Sequence, residues 1–478
     1  MTNEELRNRI DIIDGKIAEL IKERMEISLE IGKNEKTGSG KIYVPERERR
    51  VLENVSEIGG PAAERIYRAV LAESRRAQET LLREGAGNFF LLGKRLGHSI
   101  SPELHKRLGA YNYSLKELEE PELYDFIMSG DYDGFNVTVP YKKAVCRMCD
   151  VLSQEAKAVG AVNTCVKRDG KLWGFNTDIT GFETLLKICG VDVKNKRTAI
   201  LGTGGCAAAV KYVLENKGAA EILSVSRSGE INYSNVYEKL SETEILINCT
   251  PVGMYPNTGS VPLEVGSLKK LTTVIDAIYN PSKTRLLMDA KLCGLKAYNG
   301  LPMLAAQAAA ASEIFKGSDE PANPGLVYDI ISEFSLAGNN IVLIGMPGSG
   351  KSTVGRRIAE ETGRVFMDCD SLFESENGIK PSEFLLLFGE NTFRKKESAI
   401  VTSLRSVRNA VIATGGGVVC NSSNYYSLAE NGLVMLLDTP VERLAREGRP
   451  LTAEKGAENI LLERQEKYKL WSDVIIKL

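Results

Sequence analysis

Residues 341–355 read IVLIGMPGSGKSTVG, and this stretch sets the architecture of the last third of the chain. Ile341 to Ile344 are an apolar run suited to a buried parallel strand. The glycines after it let backbone N–H groups curl around an anion, and STVGRRIAEETG has the texture of a helix. Gly345-x-x-x-x-Gly350-Lys351-Ser352 is the spacing of a phosphate-binding loop, in which lysine reaches the terminal phosphates and the hydroxyl ligates Mg²⁺. Gly348, Ser349 and Thr353 complete the cradle expected for ATP. More than two thirds of the 478 residues come before it, too many for one hydrophobic core, so three or four folding units are expected.

The bulk numbers remove several classes of function. A net charge of −2 and a pI near 6.1 provide no basic field for nucleic acid or membrane. The start, MTNEELRNRIDIID, is charged where a signal peptide needs an apolar core, and no run is long enough to span a bilayer. Nine cysteines are scattered, and the one close pair, Cys146 and Cys149, has no second pair at zinc spacing, so reduced thiols in the cytoplasm are expected. Only His98 and His105 are available, which argues against a histidine-based hydrolase or metal site.

Working back to the N-terminus, the chain divides into three. Leu6, Ile10, Ile13, Ile17 and Leu20 recur at steps of four and three, the pattern of one amphipathic helix over residues 3 to 36. Gly38 to Gly40 break it, and PERERRVLENV and PAAERIYRAVLAESRRAQETLL supply two more helices. A helix on the order of 50 Å long is too long for a small domain alone, so its stripe is expected to pack on a second copy of the chain. After EGAGN (84–88), short apolar runs alternate with helical stretches, the texture of parallel-sheet α/β architecture. KGSDEPANPG and SLAGNN mark further breaks near 316 and 335.

Beyond the phosphate loop, FMDCD carries Asp368 and Asp370, FGENTFRKKE carries Arg394, and VIATGGGVV ends a strand in three glycines. GRPL and ERQEKY then supply Arg449 and Arg464. An acid at a strand end can orient or deprotonate a hydroxyl, and arginines can clamp a carboxylate. In this order the motifs resemble shikimate kinase over residues 338–478. The resemblance implies that Asp370, Arg394, Gly416 and Arg464 hold shikimate, with Asp370 and Lys351 catalytic. It further implies that Arg449 reaches ATP from a lid and that Ser352 and Asp368 manage the Mg²⁺. The lid stretch, RLAREGRPL, is shorter than is usual in that family. A phosphate-loop kinase for another small polyol is the alternative.

In the middle, AILGTGGCAAAV places Gly202, Thr203, Gly204 and Gly205 between a strand and a helix, a dinucleotide-binding fingerprint. The next strand ends in Ser226, Arg227 and Ser228 rather than an acid, which suits a 2′-phosphate and favours NADP over NAD. GFNVTVPYKK carries Lys142, GAVNT carries Asn163 and GFNTDITG carries Asp178; a Lys–Asp pair can relay a proton while hydride moves. With GHSISPELH, NCTPVGM, DAIYNP and NGLPMLAAQ, the set resembles shikimate dehydrogenase over residues 88–335. By that resemblance a substrate-binding part (about 88–180 and 306–335) flanks a Rossmann NADP-binding part (about 181–305). Ser99, Ser101, Thr138, Asn163, Tyr279 and Gln307 would surround shikimate, Lys142 and Asp178 would be catalytic, and Gly300 would lie near the nicotinamide. Pro302 stands where glycine is common, and RSGEIN lacks a second basic residue after Arg227.

Arg7, Arg24, Arg47, Glu48 and Gln78 fall on the first helices. Taken singly they read as a solvated face; in their order and spacing they resemble the all-helical chorismate mutases over residues 1–85. That family intertwines three-helix chains as a homodimer, which implies that Arg7 enters the partner's site and that arginines hold chorismate. Its ether-oxygen donor, a lysine three residues past the glycine of the IG motif, falls here on Glu35, and Val44 stands where an aspartate is usual. Two readings therefore stand for this segment: a mutase making prephenate, or a regulatory or dimerising module without catalysis. The whole chain reads as a multifunctional shikimate-pathway enzyme using NADP(H), ATP and Mg²⁺ on 3-dehydroshikimate, shikimate and chorismate. Quinate use stays open.

Overall fold

The computed structural model describes residues 2–36, 45–83, 87–97, 99–318, 320–445 and 456–478. By its contacts the chain forms two units. The first comprises Met1–Tyr141, Cys165–Leu172 and Ile314–Ser318; the second comprises Lys142–Thr164, Trp173–Glu313 and Asp319–Leu478.

The first unit begins with two long elements, α1 (Asn3–Lys36) and α2 (Pro45–Arg83). Gly60, at φ 69° and ψ −173°, interrupts α2, and Pro61 restarts it at a position where its missing N–H costs nothing. The result is the three helical segments that the periodicity predicts. The two elements are tied by Gln78, whose amide donates to the Ser28 carbonyl at 2.6 Å, and by Arg24, which donates to Tyr67 at 3.1 Å and to Ser74. The other side of α1 is uncovered: Leu6, Ile10, Ile13, Ile17 and Leu20 are 41 to 64% exposed. A continuous apolar stripe of this kind marks an interaction face.

The strands that follow are β1 (Asn88–Gly93), β2 (Asn112–Glu117), β3 (Gly134–Val137), β4 (Val151–Leu152), β5 (Thr164–Arg168) and β6 (Lys171–Phe175). In the first unit β1 lies between β2 and β3, all parallel. The same unit holds a buried aromatic block in which His105 stacks on Tyr113 at 3.8 Å and shares a 2.6 Å hydrogen bond with Tyr111. Burial pushes the imidazole pKa down from 6.5 to about 3, with a hydrogen bond to Asn136 opposing. The unfolded chain takes up this proton near 6.5 and the folded chain only near 3. Stability therefore falls as pH drops through that window, by about 1.4 kcal/mol per unit. With only two histidines in the chain, NMR of histidine-labelled protein checks this directly: one imidazole is expected to stay neutral down to pH 5.

The second unit contains the β4–β6 pairing and two five-stranded parallel sheets. One consists of β7 (Arg197–Leu201), β8 (Glu221–Val225), β9 (Ile245–Asn248), β10 (Thr273–Asp276) and β11 (Lys296–Tyr298), in the order β11-β10-β9-β7-β8. The other consists of β12 (Asn340–Ile344), β13 (Val365–Asp368), β14 (Ala410–Ala413), β15 (Gly432–Asp438) and β16 (Val474–Lys477), in the order β13-β14-β12-β15-β16. Every residue of β9, β10, β12 and β14 is buried, as expected of strands covered on both faces by helices. In each sheet the strand that leads into a glycine-rich turn, β7 or β12, has neighbours on both sides, so the turn opens at a crevice beyond the strand ends. The two sheets share packing: Met288 and Leu292, from the helix Arg285–Leu292, join the core formed by Val434, Leu436, Tyr425 and Trp471. Among the described residues no helix is long and apolar enough to cross a membrane.

Candidate active sites

Lys142 opens the helix Lys142–Cys146 and Asp178 opens the helix Asp178–Ile188. Although 36 positions apart, they meet: the ammonium donates to Asp178 Oδ2 at 2.5 Å. The carboxylate's other oxygen accepts from Asn163 at 3.0 Å, so both oxygens are held and Asp178 is buried. Asn163 also donates to Thr177 at 2.9 Å and to Gln307 at 3.3 Å, and its carbonyl oxygen accepts the Thr177 backbone N–H at 2.7 Å. Burial works against the charge on Lys142, but the adjacent Asp178 outweighs it and holds the ammonium above the ordinary lysine value. The pair is thus a charged acid beside its counter-ion, fixed in one orientation.

Two glycines make this possible. A Cβ on Gly181 would come within 2.7 Å of the Met303 carbonyl, so glycine lets the helices Asp178–Ile188 and Leu301–Phe315 touch and brings Gln307 to Asn163. A Cβ on Gly205 would press on the Lys142 side chain at 3.1 Å. Gly181 and Thr177 were not among the residues expected from sequence, although both lie within the GFNTDITG motif.

The remaining substrate candidates are distributed as follows. In the first unit Ser99 donates to Ser101 Oγ at 3.0 Å, and Thr138 follows directly on β3, so all three lie beyond the C-terminal ends of β1 and β3. In the second unit Tyr279, half-buried, follows β10. Gly300 is pressed against the Ala277 carbonyl, where a Cβ would stand 2.1 Å from the oxygen.

The turn after β7 suits a dinucleotide. Gly202 adopts φ 108° and donates to the Val225 carbonyl at 2.8 Å, and the Thr203 carbonyl accepts from Lys143 at 3.4 Å. A Cβ on Gly204 would meet nothing within 4 Å, and no side chain caps the helix Gly205–Asn216 that it precedes. Open space at an uncapped helix N-terminus fits a pyrophosphate. Ser226, Arg227 and Ser228 follow β8, with Arg227 and Ser228 exposed, as a ribose 2′-phosphate requires.

The turn after β12 borders a cavity of about 360 Å³. Gly348 and Gly350, at φ 86° and 85°, shape the loop, and Ser349, Ser352 and Thr353 belong to it or to the first turn of the helix Lys351–Thr362. Lys351 is buried and donates to the carbonyls of Gly345 and Met346 at 3.0 and 2.8 Å. Asp370, Arg394, Gly416 and Arg464 line the cavity, and Asp368 accepts the Asp370 backbone N–H at 2.9 Å. Arg464 donates to the Gly416 carbonyl at 3.1 Å, and the Tyr468 hydroxyl donates to the same oxygen. Among the described residues, the Nε atoms of Arg394 and Arg464 are both buried without a hydrogen-bond partner. Two under-satisfied guanidinium groups facing one cavity fit a carboxylate.

Glu397 is a charged cavity residue that sequence reasoning missed. It is buried and accepts from Arg394 at 2.8 Å; burial pushes its carboxyl above the usual range despite that guanidinium. The glycine triplet is explained by the same surroundings. A Cβ on Gly415 would strike Glu397 at 2.6 Å, on Gly416 it would strike Pro347 at 2.6 Å, and on Gly417 it would strike Arg394 at 1.9 Å.

In the helical segment, Arg24 and Gln78 make the contacts given above, Glu48 accepts from Arg75 at 3.0 Å, and Arg7 and Arg47 are exposed. Val44, His98, Arg449 and the side chains of Glu35 and Lys36 lie outside the described residues.

Three family models match the chain: chorismate mutase type II over residues 6–79, the shikimate dehydrogenase substrate binding domain over 91–165, and shikimate kinase over 347–477. A shikimate dehydrogenase (NADP(+)) of Clostridium perfringens strain SM101 is 40% identical over 249 residues, spanning 48% of this chain and 92% of that protein. The protein of the same description from Caldicellulosiruptor bescii is 38% identical over 258 residues, spanning 47% and 88%. Among solved structures, a chorismate mutase/shikimate 5-dehydrogenase fusion protein from Clostridium acetobutylicum aligns with a TM-score of 0.48 at 34% identity, covering 52% of this chain and 97% of that one.

Proposed function

Because this chain belongs to the shikimate dehydrogenase family and is a multifunctional shikimate-pathway enzyme, we propose that it performs two consecutive steps itself: 3-dehydroshikimate to shikimate, then shikimate to shikimate 3-phosphate. The observation that carries the first step is the Lys142–Asp178 pair held by Asn163. NADPH, when bound, supplies the hydride. Lys142 gives a proton to the carbonyl oxygen as it becomes a hydroxyl and regains one from solvent afterwards, while Asp178 keeps the ammonium aimed. Ser99, Ser101, Thr138, Asn163, Tyr279 and Gln307 are assigned to shikimate. Gly202 to Gly205, Ser226 to Ser228 and Gly300 are assigned to NADP.

The second step is carried by the cavity that sets Arg394 and Arg464 opposite a phosphate loop. The two arginines take the shikimate carboxylate, Asp370 orients the 3-hydroxyl and accepts its proton, and Lys351 stabilises charge on the transferred phosphoryl group. Ser352 and Asp368 would hold Mg²⁺ together with phosphate oxygens, the sparse protein ligation usual for that ion. Arg449 is assigned to ATP. The domain limits follow the sequence: 1–85, 88–335 and 338–478.

For the first segment we assign a homodimer built on the uncovered α1 stripe, with Arg7, Arg24, Arg47, Glu48 and Gln78 directed at chorismate. The cytoplasm is the proposed compartment. The alternative, a module without catalysis, is kept because Glu35 replaces the expected lysine. One experiment tests the three activities. Purified full-length chain is supplied in turn with 3-dehydroshikimate and NADPH, with shikimate and ATP–Mg²⁺, and with chorismate, beside a Glu35→Lys, Val44→Asp variant. NADPH oxidation and shikimate 3-phosphate formation are expected; failure of either removes that step from the proposal. Prephenate from wild type favours the trifunctional reading, and prephenate from the variant alone favours the module.

A further inference from the structure

The helix Ala457–Trp471 contributes Arg464 to the lining of the kinase cavity. Its buried residues Ile460, Arg464, Tyr468 and Trp471 are spaced four, four and three apart, so Arg464 and Tyr468 belong to a single stripe that reaches Gly416. The position of that stripe depends on what holds the helix end, and the holder is the dinucleotide-binding half.

Lys291, on the helix Arg285–Leu292, donates to the carbonyls of Trp471 and Ser472 at 3.3 and 2.8 Å, and to Asp473 Oδ1 at 2.6 Å. Helix C-terminal carbonyls have no partner within their own helix, and a cation there also opposes the helix dipole. Lys283, just before the same helix, donates to Asp473 Oδ2 at 2.5 Å and to the Gly432 carbonyl at 2.8 Å, while its backbone N–H donates to the Glu430 carbonyl at 3.0 Å. Asp473 Oδ2 also accepts the Val434 N–H at 2.9 Å, which locks the helix end to β15. The side chains of the three charged residues are only 18 to 24% exposed. Burial works against the charge on Asp473, but the two lysines outweigh it and hold the carboxyl below its ordinary value. Around this cluster Tyr426 donates to Asp289 at 2.8 Å and lies under Arg285 at 3.6 Å, so the contact is broad as well as charged.

We propose that Lys283 and Lys291 are positioning residues for the kinase: by capping and anchoring the helix Ala457–Trp471 they set Arg464 against Gly416, and the dinucleotide-binding half becomes a structural part of the acceptor site. The inference rests on the reading of this cavity as the shikimate site. It identifies what the fusion contributes to the second step beyond proximity.

The test uses full-length Lys291→Met, which leaves the Lys283–Asp473 pair in place, with Lys283→Met as the second variant and Lys291→Arg as the conservative one. Kinase kcat, KM for shikimate and KM for ATP are measured, together with dehydrogenase kcat/KM for Lys291→Met. The expected result is a rise of about tenfold in KM for shikimate in each methionine variant, the scale of a misaligned binding group. KM for ATP and, for Lys291→Met, dehydrogenase kcat/KM stay at wild-type values. Lys291→Arg, still able to cap the same carbonyls, recovers most of the loss. An unchanged KM for shikimate in both methionine variants would overturn the proposal. So would a parallel rise in both KM values, because that pattern marks general loosening. A wild-type chain that leaves shikimate unphosphorylated overturns the reading of the cavity and this inference with it, whereas normal wild-type kinetics with unaffected variants overturns this inference alone.

Discussion

Lys142→Met is expected to lower dehydrogenase kcat/KM by about a thousandfold, within the range for loss of a general acid, while the kinase rate of the same chain stays at its wild-type value. The ammonium is the charged donor held on Asp178, and methionine keeps its length and apolar stem without the proton. Removing it also leaves the buried Asp178 with Asn163 as its remaining side-chain partner, so a stability cost accompanies the kinetic one. Lys142→Arg separates these effects. It restores a positive charge beside Asp178, yet guanidinium scarcely deprotonates and its flat fork does not fit a point-charge site. Stability should return and turnover should not. Full activity in either variant, followed by NADPH absorbance, would remove Lys142 from the reaction. The kinase measured in the same tube reports whether the chain has kept its fold.

The second large effect lies at Lys351. Lys351→Met should reduce shikimate phosphorylation by about a thousandfold, the upper range for deleting one preorganised electrostatic group. The ammonium donates to the carbonyls of Gly345 and Met346, inside the loop that it serves. That anchoring holds the ammonium within the loop, where it can meet phosphate oxygens. NADPH-dependent activity should be untouched. A variant that keeps phosphorylating at the wild-type rate would show that another cation neutralises the phosphates.

Much of this was readable from local patterns, because the relevant chemistry is local. The phosphate loop lies between a strand and a helix that its flanking residues already encode, and Lys142 and Asp178 lie in short motifs at element boundaries. The α1 stripe repeats every three or four residues and leaves the same residues exposed. What escaped depends on distances between segments far apart in the chain. Gly181 looks like any helix glycine until the Met303 carbonyl is found where its Cβ would be. Glu397 sits in the charged run RKKE and reads as a surface residue. The helix Pro381–Ser403 is broken at Gly389, φ 78°, and its later part carries Glu397 in a buried position beside Arg394. Lys283, Lys291 and Asp473 occupy ordinary polar contexts, and their meeting is a property of two packed sheets rather than of any motif.

Met288 is 1% exposed, and the core that buries it belongs mostly to the neighbouring sheet. A side chain lent across a boundary in this way makes the two halves share their cohesion. Heat that opens the kinase core strips Met288 of its cover and loosens the helix it comes from, and loss of that helix in turn uncovers Trp471 and Tyr425. Neither catalytic half then has a melting point of its own. Reductase and kinase activity should vanish from a heated sample along one curve, as a single cooperative block.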